Sequence, residues 1–161
     1  MTGLQKIPVT VIGAQKMRNE LHNLKTKVRY EVIQAIAEAR AHGDISENAE
    51  YDAAKERQGF IEGRIAELET KLGSAQIIDP STLNEDGRIV FGATVLLEDM
   101  DTGKKVRYQI VGNDEADLKE MKVSIISPIA RAMIGKYAGE IIEVDAPSGI
   151  REYEVLEVLY I

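Results

Sequence analysis

The chain has no cysteine and no tryptophan, and aromatic residues make up 5% of its 161 residues. Without cysteine, neither a disulfide framework nor a thiolate zinc site can form. The two histidines, His22 and His42, are too far apart for a metal-ligand spacing. No apolar run reaches the roughly 18 residues of a membrane span, and the opening MTGLQKIPVTVIG lacks the layout of a signal peptide. We therefore expect a cytoplasmic protein that does not enter membranes.

Basic residues are outnumbered by acidic ones, 20 against 27, so the net charge is −7. This value argues against a protein that coats nucleic acid by bulk charge. Residues 1–80 hold 11 basic and 12 acidic residues, whereas residues 81–161 hold 9 basic and 15 acidic ones. The two halves therefore present different surfaces, which suggests different partners.

The first half has the apolar periodicity of two amphipathic helices. Steps of three and four residues separate the apolar positions of the first stretch, which are Met17, Leu21, Leu24, Val28, Val32 and Ile36. The second stretch has the a/d seam of a coiled coil over three heptads, formed by Ala54, Gln58, Ile61, Ile65, Leu68, Leu72 and Ala75. Each stripe is narrow, so each helix needs a partner.

The segment AHGDISENAEY, residues 41–51, separates the two helices. Gly43 is a plausible helix stop, and Asp44 is predicted as the N-cap of the next helix, with Glu47 three residues on. So short a loop makes the helices antiparallel. The result is a hairpin with its tip at residues 42–48 and arms of about 30 residues, roughly 45 Å long at 1.5 Å per residue.

The second half reads as short strands with one helix. Pro80 ends the helical region, and residues 81–87 are predicted as a polar linker. Strands are predicted at 88–99, 104–111, 140–146 and 151–161, and a helix at 127–136. The fold class is therefore α+β. Residues 1–79 form a coiled-coil hairpin, 80–87 a linker and 88–161 a small antiparallel-sheet-plus-helix domain.

Three carboxylates, Asp44, Glu47 and Glu50, lie within seven residues at the predicted tip. One interpretation is helix capping, because carboxylates bond free N–H groups and oppose the dipole at a helix N-terminus. The other is a partial Mg²⁺ site, because magnesium takes oxygen ligands and often uses only one or two protein carboxylates. Both interpretations hold if Glu47 caps the helix while Asp44 points outward.

The tip sequence GDISENAEYDAAKERQ resembles the motif GDLxENAEYxAAxExQ of Gre factors, the bacterial transcript-cleavage family. The resemblance continues through Ile7-Pro8, VIQAIAEAR (32–40), VFGATV (90–95), IVGNDEAD (110–117), ISPIARAMIGK (126–136) and YEVLEV (153–158). It therefore covers nearly the whole chain. The tip and the SPIAR segment are its specific signals.

This resemblance implies a factor that inserts its hairpin into the secondary channel of bacterial RNA polymerase and rescues backtracked complexes. The polymerase hydrolyses the nascent RNA near its 3′ end, and the factor has no catalytic power alone. By motif match, Asp44 is a ligand of the second Mg²⁺, which no stable site holds without polymerase. Glu47 supports the metal or the attacking water. The modest basic content near the tip favours the subtype that releases di- and trinucleotides.

The resemblance also assigns roles around the tip. Arg40 and Lys55 match basic positions that meet RNA phosphates, with Arg57 a looser candidate. The alternative is that they are solvated charges, paired at i,i+4 with acids such as Glu62 and Glu38. Asn48 and Tyr51 are predicted to support the tip, Asn48 by capping and Tyr51 by packing. The alternatives are that Asn48 hydrogen-bonds the substrate and that Tyr51 contacts nucleic acid.

The carboxy-terminal domain is similar to FK506-binding prolyl isomerases, although its few aromatics give no reason to infer isomerase activity. In the family this domain docks on the polymerase at the channel entrance. The predicted docking residues are Ser127, Pro128, Ile129 and Arg131, whereas Ile134 is predicted on the core face of the helix. We expect a monomer.

Three other functions fit parts of this pattern. A Gre homologue that blocks the channel would share the architecture but typically has a denser acidic tip. A chaperone with a helical clamp and an isomerase-like domain would explain the hairpin but not the tip acids. A plain coiled-coil interaction protein would use the acids only as caps.

Overall fold

A computed structural model describes residues 6–43 and 48–161, which form two compact units. The first unit comprises Ala14–Ala75, and the second comprises Lys6–Gly13 together with Gln76–Ile161. The second unit therefore takes residues from both ends of the sequence. Within the described residues, no helix is long and apolar enough to cross a membrane.

The first unit is a helical hairpin. Its first arm runs through α1 (Val11–Asn23), a π-helical segment (Leu24–Val28) and α2 (Arg29–Ala41). Its second arm is α3 (Ala49–Gly73). A π-helical turn holds one residue more than an α-helical turn, which shifts the facing side chains along the arm. The apolar pattern did not indicate this segment.

The predicted apolar seams form the core of the hairpin. Val32 and Ile36 of α2 pack with Ala54, Ile61 and Ile65 of α3 in one buried cluster. Leu68 is fully buried as well. Ala75, predicted as the last seam position, is instead the first residue of a strand, because α3 ends at Gly73.

Ion pairs between the arms show that they are antiparallel. Their partners run in opposite sequence order, as Lys25–Glu69, Arg29–Glu62 and Arg57–Glu31. The suggested i,i+4 pairing of Glu62 is therefore wrong, since Arg29 on the other arm binds it with two hydrogen bonds of 2.8 Å.

The helix ends next to the tip are defined on both sides. α2 ends at Ala41, and Gly43 has a φ of +107°, a backbone conformation that glycine adopts without strain. The N-cap of α3 is Asn48, not Asp44 as predicted, since the Asn48 side chain accepts a hydrogen bond from the Tyr51 N–H. Helix α3 therefore begins later in the sequence than the tip motif suggested.

The second unit contains a two-stranded sheet of β1 (Ile7–Thr10) and β2 (Ala75–Ile78) and a five-stranded sheet. Strands of the larger sheet follow the order β5-β4-β3-β7-β6. Their bounds are β3 Thr94–Asp99, β4 Lys105–Val111, β5 Lys122–Ser124, β6 Ile141–Ala146 and β7 Gly149–Leu159. Within the larger sheet, β4 and β5 pair in parallel and the other three pairs are antiparallel. Four strands of the larger sheet fall within or overlap the predicted segments, whereas β1, β2 and the short parallel edge strand β5 were not predicted.

The segment before β3 is less regular than predicted. Residues 88–93 lie outside any strand, so the predicted strand at 88–99 begins only at Thr94. Gly92 has a φ of +89°, which is incompatible with a continuous strand. Residues 80–87 include a 3₁₀ turn (Pro80–Thr82) in which Pro80 is buried.

The core of the second unit lies between the larger sheet and α4 (Pro128–Met133). It is built from the fully or nearly fully buried side chains Ile89, Val95, Leu97, Ile110, Val123, Ala130, Met133, Ile142 and Val155. The prediction that Ile134 lies on the core face is wrong, because this residue follows the last turn of α4 and is 38% exposed. Ala130 and Met133 fill that face instead.

The α+β fold class is confirmed, with a helical hairpin first and a sheet-rich unit second. The exact boundaries at 79–80 and 87–88, the coiled-coil geometry and the isomerase-like topology stay predictions.

Candidate functional site

The candidate site is the hairpin tip, where the two helix ends flank the predicted acids. Asp44 and Glu47 lie outside the described residues, so the structure defines the site by its supports. Asn48 is the central one: its Nδ2 donates to the Ala39 carbonyl of α2 at 2.6 Å, and its Oδ1 accepts from the Tyr51 N–H of α3 at 3.1 Å. One half-buried amide thus fastens both arms beside the tip.

Tyr51 adds a second connection between the arms. Its ring is partly buried against the hairpin core. The Arg40 guanidinium lies over this ring, 5.8 Å from the centroid, which is within the range of a cation–π interaction. Because Arg40 belongs to α2 and Tyr51 to α3, this contact also joins the arms.

The predicted basic residues share one surface. Arg40 and Lys55 line an open groove between the arms, together with Ile33, Ile36, Ala37 and Gln58. Lys55 donates to Gln58 Oε1 at 3.1 Å. Among the residues that the structure describes, neither Arg40 nor Lys55 forms an ion pair, whereas Arg57 pairs with Glu31. The groove near the tip thus combines two positively charged side chains with apolar ones.

Several charges farther from the tip are paired with charges of opposite sign. The side-chain hydrogen bonds of Arg29 lower the pKa of Glu62, and the Glu62 carboxylate raises the pKa of Arg29. Glu20 likewise raises the pKa of Arg64 by its hydrogen bonds across the arms. Arg40 and Lys55 thus place two positive charges without acidic partners among the described residues in one groove.

Whether the tip could hold a metal ion is judged from the chemistry of its side-chain donors. The described part of the chain has no group of three or more His, Cys, Asp or Glu side chains that could hold a metal ion. Asp44 and Glu47 supply carboxylate oxygens, the ligands Mg²⁺ prefers, and magnesium often takes only one or two from a protein. The donor set therefore suits an incomplete magnesium site.

The predicted docking residues lie at the start of α4. Ser127 is its N-cap, accepting from the Ala130 N–H at 3.3 Å and donating to the Ser124 carbonyl at 2.6 Å. Pro128 occupies the first helical position. Pro128 and Arg131 are exposed, whereas Ile129 is partly buried against the core. Ile126, which was not singled out in the sequence, adds an apolar side chain that is 56% exposed.

Comparison with known proteins gives matches over both units. The family model described as "Transcription elongation factor, N-terminal" matches residues 7–77, and "Transcription elongation factor, GreA/GreB, C-term" matches residues 84–160. "Transcription elongation factor GreA" of Ralstonia nicotianae is 65% identical over 98% of this chain and 100% of its own length. The protein of that name from Neisseria meningitidis serogroup A is 62% identical over the same shares. The crystal structure of "GreA factor homolog 1 (Gfh1)" of Thermus thermophilus is 28% identical, covers 96% of this chain and 99% of that chain, and has a TM-score of 0.43.

The hairpin and the sheet-rich unit are each matched by their own family model, in the order in which the chain carries them. Curated relatives of more than 60% identity extend the match over 98% of this chain and 100% of their own length. These findings confirm the resemblance seen in the tip and SPIAR segments. The chain belongs to the GreA/GreB family of transcription elongation factors.

Proposed function

We propose that this protein acts with bacterial RNA polymerase and stimulates the polymerase's own cleavage of backtracked nascent RNA. The hairpin enters the secondary channel, and the polymerase carries out the hydrolysis, so the factor itself is not an enzyme. The observation that carries the proposal is the tip: in a GreA/GreB chain, Asn48 fastens both arms directly beside the acidic motif. Asn48 thus joins the two helix ends between which the acidic motif lies in the sequence.

Asp44 and Glu47 are the residues that would hold Mg²⁺ in the polymerase active site. Such an ion supplies Lewis-acid stabilisation of the reacting oxygens in two-metal phosphoryl chemistry. Asp44 supplies a carboxylate ligand, and Glu47 supports the metal or orients the attacking water. The protein alone offers too few ligands for stable binding, so the site is complete only in the complex.

Arg40 and Lys55 contact the phosphates of the extruded RNA 3′ end. Their shared groove and lack of acidic partners among the described residues support this role. Phosphate contacts by Lys and Arg contribute affinity that weakens as salt rises. Because two such cations line the groove among the residues that the structure describes, we infer release of di- and trinucleotides.

The second unit docks the factor on the polymerase at the channel entrance through Ser127, Pro128, Ile129 and Arg131. The exposed Pro128 and Arg131, next to the capped start of α4, support this surface. The protein acts as a monomer in the cytoplasm.

The test is release of short fragments from a backtracked elongation complex with 3′-labelled RNA and Mg²⁺. Rapid release by wild type, and its loss in Asp44→Ala and Glu47→Ala variants that still bind polymerase, is the expected result. Variants that cleave as fast as wild type would refute the tip assignment. A wild type that slows nucleotide addition without releasing fragments would indicate a channel-blocking inhibitor instead.

A further inference from the structure

The groove near the tip has an apolar floor beside its two cations. Ile33, Ile36 and Ala37 of α2 form this floor, and Arg40 lies one helical turn beyond Ile36. Ile36 is 8% exposed and belongs to the hairpin core, whereas Ile33 is 49% exposed. The groove therefore presents an accessible apolar side chain next to positive charge.

Both arms contribute to the groove, and its walls differ in chemistry. Lys55 and Gln58 line it from α3. Lys55 Nζ donates to Gln58 Oε1 at 3.1 Å, and this contact leaves the Gln58 Nε2 group as a donor toward a ligand. The groove has a volume of about 260 Å³, just below the range of about 300–1,000 Å³ that is usual for small-molecule pockets. A space of this size suits one flat group rather than a folded segment.

The charges decide which kind of occupant fits the groove. An apolar protein segment would cover the floor, but it would also take two cations out of water without giving them partners, which is costly. A nucleotide of single-stranded RNA has a phosphate for the cations. It also has an unstacked base whose face packs on aromatic or apolar side chains and whose edge forms hydrogen bonds. The groove therefore matches RNA in both its charged and its apolar part.

We propose that Ile33 and Ala37 bind the face of an unstacked base of the extruded RNA, while Arg40 and Lys55 bind its flanking phosphates and Gln58 its edge. This inference rests on the proposed function and adds a base-binding position to it. Every base has a face that can pack in this way, so the contact tolerates different sequences. It distinguishes RNA that carries bases from a bare sugar–phosphate backbone.

The experiment asks whether the effect of Ile33 depends on the RNA base. Backtracked polymerase complexes are assembled on two synthetic RNAs, whose extruded 3′ nucleotides either carry their bases or are abasic. The factor concentration at half-maximal cleavage is measured for wild type, Ile33→Ser, Lys55→Ala and Phe60→Ser, and thermal unfolding reports whether each variant is folded. Phe60 is the matched control, because it is an apolar side chain of the hairpin that is 79% exposed outside the groove lining.

We expect Ile33→Ser to raise the half-maximal concentration about fourfold or more on base-bearing RNA, since even one methylene lost from an apolar contact changes a binding constant about fourfold. On abasic RNA the same substitution should change little. Lys55→Ala should raise the half-maximal concentration on both RNAs, because abasic RNA keeps its phosphates. Phe60→Ser should have no effect on either. A side chain that serves only folding would not distinguish the two RNAs.

An equal effect of Ile33→Ser on the two RNAs would overturn the inference and would indicate that Ile33 contacts a protein surface instead. No effect on either RNA would overturn it as well. If Ile33→Ser does not fold, Ile33→Thr, which keeps a β-branched side chain, decides by the same comparison. A wild type that cleaves base-bearing RNA, combined with a base-independent effect of Ile33, refutes this inference alone. A wild type that releases no fragments would refute the proposed function and this inference with it.

Discussion

At the residue scale, Asn48 has the most clearly defined structural role near the tip. It uses both ends of its amide, donating to the Ala39 carbonyl and accepting from the Tyr51 N–H. Carboxylates next to it in sequence can replace only the accepting half of this role. The amide therefore suits a position that must bind a carbonyl on one arm and an N–H on the other.

Asn48→Ala should lower the free energy of unfolding by about 1–2 kcal/mol, because it removes an N-cap and leaves the Ala39 carbonyl without this donor. Asn48→Asp keeps the cap but cannot donate, so its loss should be smaller. Urea unfolding of the three proteins measures the difference. Equal stability of Asn48→Ala and wild type would show that the cap contributes nothing.

Asp99 should make stability depend on pH. The Asp101 N–H above all, and then the Thr102 N–H and the Arg151 guanidinium, hold the pKa of Asp99 below its usual value, although burial opposes them. A lowered folded-state pKa stabilises the protein above the unfolded-state pKa of about 3.9 and loses this contribution as the pH falls through the folded-state value.

We therefore expect wild type to exceed Asp99→Asn in stability most at neutral pH, with the gap closing below about pH 4. Denaturant unfolding of both proteins between neutral and acidic pH measures the gap. A gap that stays constant down to acidic pH would contradict the role of the ionised Asp99.

At the element scale, the hairpin depends on its apolar seam more than on its ion pairs. The pairs between the arms have exposed partners, and such pairs contribute little to stability. Ile65, by contrast, is 4% exposed inside the hairpin cluster. Phe60 on the same helix is 79% exposed, so the two residues form a matched comparison.

Ile65→Ala should cost about 2–5 kcal/mol of unfolding free energy, because it leaves a cavity in the seam. Phe60→Ala should change the unfolding free energy by no more than about 0.5 kcal/mol, as surface substitutions usually do. Calorimetry or urea titration of both variants measures this. A similar effect of the two substitutions would mean that the seam is not the core of the hairpin.

The elements differ in how far the sequence predicted them. Seam positions such as Ile61 and Ile65 were predictable because a helix repeats its buried face every three to four residues. The strands β1 and β2 were not, because four-residue segments carry too little periodicity. The apolar residues around Gly92 favour a strand, but in the structure they form a turn at Gly92 and pack against the core.

The residues of the candidate site also differ in how far the sequence predicted them. The tip motif indicated the acids, and the residue type of Asn48 favoured capping, but Asp44 was wrongly predicted as the N-cap of α3. Outside the site, the hydrogen bonds between Glu115 and Thr10 could not be predicted, because the two residues are 105 positions apart and no local sequence pattern relates them. The placement of Arg40 and Lys55 in one groove likewise could not be predicted, because it depends on the register between the arms.

At the scale of the whole molecule, charge separates the surfaces. Residues 81–161 carry most of the net negative charge, so the carboxy-terminal half is poorly suited to bind nucleic acid. Near the tip, Arg40 and Lys55 offer positive charge without acidic partners among the described residues. Contact with RNA is therefore expected at the hairpin.

Arg40→Ala or Lys55→Ala should make the half-maximal factor concentration less dependent on salt. For single-stranded nucleic acid, each lost phosphate contact reduces the slope of log affinity against log salt by about 0.7. Lys104→Ala, an exposed charge in the second unit, is the matched control. An equal effect of all three substitutions would point to general charge rather than to this groove.

Under the proposed function, rapid cleavage needs both the factor and the polymerase, whereas the polymerase alone cleaves slowly. The most direct measurement is the rate of 3′-fragment release from labelled RNA with the factor alone, with a backtracked polymerase complex alone, and with both together. We predict rapid release only with both, and slow intrinsic release from the complex alone. Release by the factor alone, or no acceleration on combining the two, would contradict the account.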